Sequence, residues 1–341
     1  MPVRPATFAA HYQTPWSGHV ALLSPGAVPS VDFYLTPRLA ELEPSAVHRF
    51  DSLRGQPPIQ DLPPGTFVVI VRHASNSWLR FLSENAQLLS GVAYFMDDDI
   101  PAAWRCRELP LDYRLRTSLR YRRISRALAR ICDRVWVSNE VLMQRYACWH
   151  PTLVQPLSPF QPREAAASGI RRWCYHGTRA HVAEMHWLKP VVKAVQQQVL
   201  DAEFEIMGSA AIRRLFRDIP RVNVLAPTSW QGYVAHCRGS EISVGVAPLL
   251  PSHFNAARTH VKVFDIAHCG AVGVYSRRAP YFPRLSNAGA VFVDDDQAAW
   301  SKQIAALLID DRRRMELHSQ STAWIASQPV SPSLLELIGK H

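Results

Sequence analysis

No C-x-x-C pair occurs in this chain of 341 residues. Its six cysteines, Cys106, Cys132, Cys148, Cys174, Cys237 and Cys269, are scattered. That distribution argues against a zinc motif or a disulfide framework and favours free thiols. No apolar run approaches the roughly eighteen residues that a membrane-spanning helix needs. The N-terminal residues lack a basic start followed by an apolar stretch, so no secretory leader is visible. A cytoplasmic protein is the expectation from these absences. Also missing are a full glycine-rich phosphate loop, a recognisable Ser/His/Asp triad, an internal repeat and any long low-complexity tract.

What is present supports two ordinary domains. A 48% hydrophobic content supplies enough apolar side chains for real cores at this length. The formal charge of +10 calls for an anionic partner. Nucleic acid, an anionic membrane surface or a phosphorylated substrate would each serve. No nucleic-acid motif appears, and no interleaving of aromatic and basic residues of the kind that stacks bases. Nucleic acid is therefore not expected. Arginine greatly outnumbers lysine, a bias that base composition alone can produce.

The order of elements is that of an α/β protein. Val20–Leu23 and Val31–Tyr34 are short apolar runs that read as first strands. Phe67–Val71 is a buried strand and Trp78–Leu89 a helix. Val92–Met96 is the next strand and runs into Asp97, Asp98 and Asp99. A basic helix spans Tyr113 to Ile131, followed by strand Val135–Ser138, a short helix to Tyr146 and strand Thr152–Leu157. Strands alternating with helices at this spacing mean mostly parallel sheets. Ser158–Gly169 is polar, small-residue-rich and reads as a linker. The alternation then restarts with strand Arg172–Tyr175, helix His181–Gln197 and strand Phe204–Met207. Ile212–Arg217, Val222–Leu225, Trp230–Cys237 and Ile242–Ala247 continue it. Two doubly wound domains joined by a linker imply a central cleft, with ligands at the carboxyl ends of strands.

The densest chemistry lies between Gly245 and Gly270. The run reads as a strand, a loop and a helix that starts near Asn255 and ends on Gly270. Arg258, Lys262 and Asp265 fall at i, i+4 and i+7 and would share one face of that helix. Two cations followed by a carboxylate suit a nucleoside diphosphate and its ribose. The bland alternative is a surface helix with an i, i+3 pair between Lys262 and Asp265. His176-Gly177-Thr178-Arg179 sits between a strand and a helix, where a glycine permits close approach and the amides and Arg179 can meet phosphate. An ordinary tight turn is the alternative there.

Asp97–Asp99 could hold a divalent metal, meet acceptor hydroxyls or simply form an acidic strand-to-loop turn. Asp98 is the member taken as a catalytic candidate. Arg114, Arg116, Arg120, Arg122, Arg123, Arg126 and Arg130 stud the basic helix beside an apolar stripe of Leu115, Leu119, Ile124, Leu128 and Ile131. Such a helix can lie on anionic lipid or face a core with a solvated basic side. His73, after the Phe67–Val71 strand, reads as a polar strand-end residue.

Five segments of the C-terminal half occur in one family's order: Tyr175–Val192, Phe204–Ser209, Val244–Leu249, Phe254–Ser276 and Ala290–Trp300. Through them the chain resembles the retaining glycosyltransferases of family 4. The N-terminal half resembles that family only loosely, through Tyr94–Trp104. The resemblance implies the GT-B fold, with two doubly wound Rossmann-like domains facing a central cleft. Residues 1–160 would bind the acceptor and 170–330 the nucleotide-sugar donor. It implies sugar transfer with retention, without a metal or a resident cofactor. Arg258 and Lys262 would stabilise the leaving diphosphate. Gly177, Thr178, Arg179, Phe254, Asn255, Thr259 and Asp265 would hold the donor, with loop amides at Phe254–Asn255 bonding sugar hydroxyls. His181 and Glu184 match family positions too. The family's commonest pattern has glutamates eight residues apart; here the second position is Asp265 and the first is Ala257, without a carboxylate. The acceptor would be a glycan or lipid-linked intermediate, with the enzyme cytoplasmic and peripheral at the inner membrane face. A catalytically silent glycosyltransferase-like subunit and a sugar-nucleotide epimerase of similar fold stay open as alternatives.

Overall fold

The computed structural model describes residues 10–54, 62–107 and 109–339. The chain divides into two compact units. The first comprises Met1–Arg105, Arg114–Pro159 and Pro329–His341; the second comprises Cys106–Tyr113 and Phe160–Gln328.

The first unit runs β1 (Val20–Ser24), α1 (Pro29–Tyr34), α2 (Thr36–Leu39), β2 (Val47–Asp51), β3 (Thr66–Val71), α3 (Asn76–Glu84), β4 (Leu89–Met96), α4 (Leu111–Ile131), β5 (Arg134–Val137), α5 (Glu140–Arg145) and β6 (Thr152–Leu153). Its strands pair in parallel in the order β2-β1-β3-β4-β5-β6. A parallel sheet is covered on both faces, so its central strands are apolar without alternation. Every residue of β3 is buried, as its sequence TFVVIV requires. Each such side chain contributes roughly 1.5–3 kcal/mol on leaving water.

The second unit runs β7 (Arg172–Tyr175), α6 (Val182–Gln198), β8 (Glu203–Met207), α7 (Ala210–Phe216), β9 (Val222–Leu225), α8 (Trp230–Gly239), β10 (Val244–Ala247), α9 (Val261–His268), β11 (Val272–Ser276), α10 (Phe282–Leu285), β12 (Val291–Val293), α11 (Gln297–Ile309) and α12 (Asp311–Ala326). Its strands are also parallel, in the order β9-β8-β7-β10-β11-β12. Trp173, Phe204, Phe216 and Trp300 are fully buried in its core. The winding direction reverses between β7 and β10. Loops leaving those two strands diverge and open a crevice at their carboxyl ends, where ligands of such sheets bind.

Several local expectations are corrected. Val31–Tyr34 is not a strand but most of α1, because Pro29 at the first helical turn fixes φ and has no N–H to leave unpaired. The edge strand β2 was not anticipated. The expected strand Thr152–Leu157 shortens to the two residues of β6. Ser158–Gly169 is not a loose linker after Pro159. Phe160 stacks on His268 with ring centroids 4.6 Å apart, and Arg163 donates to the carbonyls of Cys237 and Ser240. Gly270, with φ +75°, meets this segment so closely that a Cβ would lie 2.4 Å from the Glu164 carbonyl.

The expected boundaries 1–160 and 170–330 also miss the tail. Pro329–His341, with α13 (Leu334–Ile338), belongs to the first unit. Arg38, fully buried on α2, holds it there. Its guanidinium donates to the carbonyls of Pro332 (2.9 Å), Ser331 (3.1 Å), Gln155 (3.1 Å) and Tyr34 (2.6 Å). Burial pulls its pKa down to about 10, and the ring of carbonyls compensates a cation taken out of water.

Arg38→Met is expected to lower the unfolding midpoint by roughly 6–12 °C. It takes the charged donor from one buried and three partly buried carbonyls, a cost of about 3 kcal/mol. Scanning calorimetry checks this, and limited proteolysis should cut first within Pro329–Gly339. A midpoint within a degree of wild type would remove Arg38 as the anchor.

Candidate functional site

The crevice of the second unit is built on the loop that leaves β7 and on the segment between β10 and α9. Asn255–Ala257 forms a single 3-10 turn rather than the start of a helix. Arg258 follows with an extended backbone (φ −80°, ψ 155°), and α9 begins only at Val261. Arg258, Lys262 and Asp265 therefore do not share one helix face, and Asn255 does not cap α9. The helical spacing was right for Lys262 and Asp265 alone.

The two cations nevertheless converge on the same loop. Lys262 Nζ donates to the His176 carbonyl at 2.7 Å and to Asp265 Oδ2 at 2.7 Å. Two of its three donors are used, and the side chain keeps 31% exposure. The i, i+3 pair with Asp265 is thus formed. Arg258 Nη2 lies 3.2 Å from His181 Nε2, and its guanidinium sits 4.6 Å above the Phe254 ring. Phe254 is itself buried against Cys106 and Leu109. A cation over an aromatic face gains about 1 kcal/mol and is oriented by it.

Below the cations lies a polar cluster centred on Glu184, which is only 2% exposed on α6. Its Oε1 accepts from Asn255 Nδ2 at 2.7 Å, and Asn255 Nδ2 also reaches the Leu250 carbonyl at 2.9 Å. His181 Nδ1 stands 3.7 Å from Glu184 Oε2. Burial alone would raise the Glu184 carboxyl, but His181 and the Asn255 amide outweigh it and hold it below the usual range. Burial, then the nearby charges of Arg258 and Lys262, push His181 below the ordinary histidine value, so it is neutral at pH 7. Sequence reading assigned Glu184 no role. Its signal was a carboxylate one turn into a helix at a core-facing position.

Other expected donor residues have partners inside the unit. The amides of Asn255, Ala256, Ala257 and Arg258 bond Ser252 Oγ and the carbonyls of Ser252, Phe254 and Asn255. They are spent on the loop's own shape instead of facing a sugar. Thr178 is exposed and opens the 3-10 turn Arg179–His181. Arg179 pairs with Asp112 at 2.9 Å with both side chains largely in water, an arrangement worth at most about 1 kcal/mol. Gly177 is required by its neighbour, since a Cβ there would lie 2.7 Å from the Tyr175 ring. Thr259 is half-buried between Arg258 and α9.

In the first unit the three aspartates are held apart by different partners. Asp97 takes a bidentate pair from Arg72 and a 2.6 Å bond from Ser30 Oγ. Asp99 is bonded by Arg145 (2.6 Å) and the Tyr146 hydroxyl. Asp98, the catalytic candidate, is 8% exposed and 3.3 Å from Arg72. Arg72 holds a left-handed backbone, φ 61°, at the end of β3, a conformation that costs a non-glycine residue about 1 kcal/mol or more. The acidic run is therefore a set of ion pairs at a strand end. Next to it His73 is buried, and burial with the charges of Arg72 and Arg120 brings it down to about 4.

Cysteine spacing argues against a zinc motif and for free thiols; the thiols are free, but two of them meet in a second cluster behind the β7 loop. Cys237 lies in the last turn of α8 and Cys269 is the C-cap of α9, and their thiols meet His176 with all ligand atoms within 4.8 Å. The Cys269 thiol donates to Cys237; that bond, with His176 and Tyr233, brings Cys237 down to about 5 against its burial. His176 Nε2 is 2.9 Å from Glu205 Oε1, which His236 Nε2 also meets at 2.7 Å.

No protein-family model and no curated protein matches this chain. Solved structures do. A TarM variant from S. aureus, in complex with Fondaparinux, alpha-GlcNAc-glycerol and UDP, superposes with a TM-score of 0.55 at 11% identity; the match covers 82% of this chain and 56% of that one. The chain thus spans little more than half of that protein. A UDP-forming alpha,alpha-trehalose-phosphate synthase from Burkholderia vietnamiensis gives 0.57 at 10% identity over 96% of both chains. A trehalose-6-phosphate synthase studied for glycosyltransfer with retention gives 0.53 at 10% identity over 90% of this chain and 95% of that one. The fold is that of the GT-B glycosyltransferases.

The Glu184 cluster sets a pH dependence. Glu184 has a folded pKa below 4.5, so it stabilises above that value and the contribution is lost as pH falls through its folded pKa. Glu184→Gln should cost about 1–3 kcal/mol at pH 7, and the gap to wild type should narrow below pH 4.5. Denaturation at pH 7, 5 and 4 checks this. A gap that does not change with pH would show that the carboxylate charge is irrelevant there.

Proposed function

We infer that the protein is a glycosyltransferase that takes a sugar from a nucleoside-diphosphate donor held on the second unit. The observation that carries this reading is the convergence of Arg258 and Lys262 on the loop after β7, beside the strand-order reversal. Breaking a glycosidic bond to a diphosphate places negative charge on the leaving oxygens, and cations oriented beforehand stabilise that charge as it forms. Arg258 is oriented by the Phe254 face and by neutral His181. Lys262 is oriented by the His176 carbonyl and Asp265. A bound diphosphate would draw Lys262 partly from Asp265, and the released carboxylate would then accept from ribose hydroxyls. Exposed Thr178 and Arg179 border the same loop and would add phosphate contacts.

The fold likeness supports the class, since the neighbours include a UDP complex and a UDP-forming synthase. Retention of configuration is proposed by analogy with the trehalose-6-phosphate synthase neighbour and with the family 4 resemblance. Metal-independent transfer is proposed because Arg258 and Lys262 supply the countercharge for the diphosphate. The acceptor would bind the first unit, with Asp98 on its acceptor side. One observation favours a second reading, a silent binding subunit. Ala257 stands buried where the family carries an acid, and the loop amides are already bonded internally.

A lipid-linked acceptor at an anionic surface would suit α4. Its buried face is Thr117, Tyr121, Ile124, Ser125, Leu128, Ala129 and Ile131. Leu115 and Leu119 were read as part of that apolar stripe but are 40% and 48% exposed. They stand among the exposed Arg116, Arg120, Arg122 and Arg123. Apolar side chains between cations on one helix are the pattern that enters a headgroup layer. No helix among the described residues is long and apolar enough to cross a membrane.

Two experiments test these readings. Arg258→Ala and Lys262→Ala should each slow nucleoside-diphosphate release from the active sugar nucleotide about a hundredfold, the size of losing roughly 3 kcal/mol of transition-state stabilisation. UDP-sugars are the first to screen. Rates within a few-fold of wild type in both variants would remove the pair from the site, and no release from any sugar nucleotide would favour the silent subunit. Co-sedimentation with vesicles of increasing anionic content should show binding that weakens with salt, each arginine contributing on the order of 1 kcal/mol. Binding unchanged when Arg116, Arg120, Arg123 and Arg130 become glutamine would sink the membrane part.

A further inference from the structure

Three elements distant in sequence bring two thiols and an imidazole together in the core of the second unit. Cys237 lies in the last turn of α8, Cys269 caps α9, and His176 follows β7. Cys237 is 0% exposed, Cys269 2% and His176 8%. Their ligand atoms lie within 4.8 Å of one another. Tetrahedral zinc with Zn–S near 2.3 Å sets its sulfur atoms about 3.8 Å apart. Small side-chain rotations would close the present triangle around an ion.

We propose that His176, Cys237 and Cys269 form a binding site for a thiophilic d10 metal ion, zinc(II) in the first instance. The donor set is the first argument. Two thiolates and an imidazole suit zinc or copper(I), and exclude the hard cations that a sugar-nucleotide enzyme would use on phosphate.

The support around His176 is the second argument. Its Nε2 is engaged by Glu205 Oε1 at 2.9 Å, which leaves Nδ1 as the ring atom for the ion. A carboxylate on the far nitrogen fixes the tautomer and ring orientation of a metal-bound histidine and makes it a better ligand. His236 Nε2, 2.7 Å from the same oxygen, holds Glu205 in turn. The surroundings are the third. Cys269 also lines a cavity of 340 Å³ with Arg163, Glu164, Ser240 and Glu241, so one edge of the cluster borders open space. Both cysteines bind as thiolates, so loading releases the thiol proton that Cys269 still donates to Cys237.

The site would act on structure, not on the reacting atoms. His176 is also the residue whose carbonyl receives Lys262 Nζ. An ion on its ring would fix the start of the β7 loop from behind, which would give Lys262 an immobile acceptor. That consequence rests on the glycosyltransferase reading; metal binding itself does not.

The test reads the metal directly. Protein reduced, stripped with a chelator and dialysed against zinc should hold one zinc per chain by mass spectrometry and unfold at higher temperature than the stripped form. Cobalt(II) in its place should give the intense near-ultraviolet thiolate-to-cobalt absorption and the visible bands of a tetrahedral sulfur site. Cys237→Ser and Cys269→Ser should each lose the metal, while Cys148→Ser, at an exposed thiol, should keep it. Glu205→Gln should weaken zinc binding about 10–100-fold. Wild-type protein that takes up no zinc, or a cobalt form without thiolate absorption, would overturn the proposal even if the serine variants fail to fold. So would zinc retained by both serine variants. None of these readouts depends on sugar transfer, so they fail separately from it.

Discussion

Lys262 places one ammonium between the carbonyl of His176, at the end of β7, and the carboxylate of Asp265, one turn along α9. The crevice of the second unit depends on that bridge. A lysine with 31% side-chain exposure keeps its charge, yet it is no longer a free surface cation. It ties the loop to the helix and stays available to an anion that competes with Asp265. The bond is stabilising because both acceptors are themselves sheltered, and charge-assisted bonds there are stronger than those between neutral groups. Arg258 reaches the same loop by a different route, from an extended backbone, through His181 and the Phe254 ring.

Behind this pair the molecule keeps two polar clusters where a core would ordinarily be apolar. Glu184, Asn255 and His181 form one; Glu205, His176, His236 and the two thiols form the other. Buried polar groups are tolerable only when their partners are present. Glu184 with Asn255, and Glu205 with His176 and His236, meet that condition through bonds to one another. They sit beneath the loop and pack against it from below. Charge handling in the first unit is different in purpose. There Arg72 and Arg145 pair with Asp97 and Asp99 beyond the end of β4, Arg38 donates to backbone carbonyls, and Arg116, Arg120, Arg122, Arg123, Arg126 and Arg130 of α4 are exposed.

Much of this was legible from residue order. The apolar strands without alternation, TFVVIV and VGVA above all, could only be buried in parallel sheets. Their alternation with helices required doubly wound domains. The i, i+3 spacing of Lys262 and Asp265 on one helix face was also readable, and the two are paired there. Gly270 could be placed at a helix end because only a residue free of a Cβ takes φ near +75° cheaply.

What tertiary structure decided was every relation between residues far apart in the chain. Helical periodicity assigned Arg258 to α9, but the amides of Asn255 to Arg258 bond within their own loop, which holds Arg258 extended. Val31–Tyr34 has a strand's composition and becomes helix because Pro29 and the surrounding core select it. The tail Pro329–His341 returns to the first unit through Arg38, across 294 residues of chain for its longest bond. Spacing of cysteines argued against a thiol cluster, since Cys237 and Cys269 are remote in sequence. Two helices ending on the same side of one sheet bring them to His176 regardless. Local rules see neighbours along the chain, and contacts of this kind form only when helices dock on a sheet whose strand order no local pattern encodes.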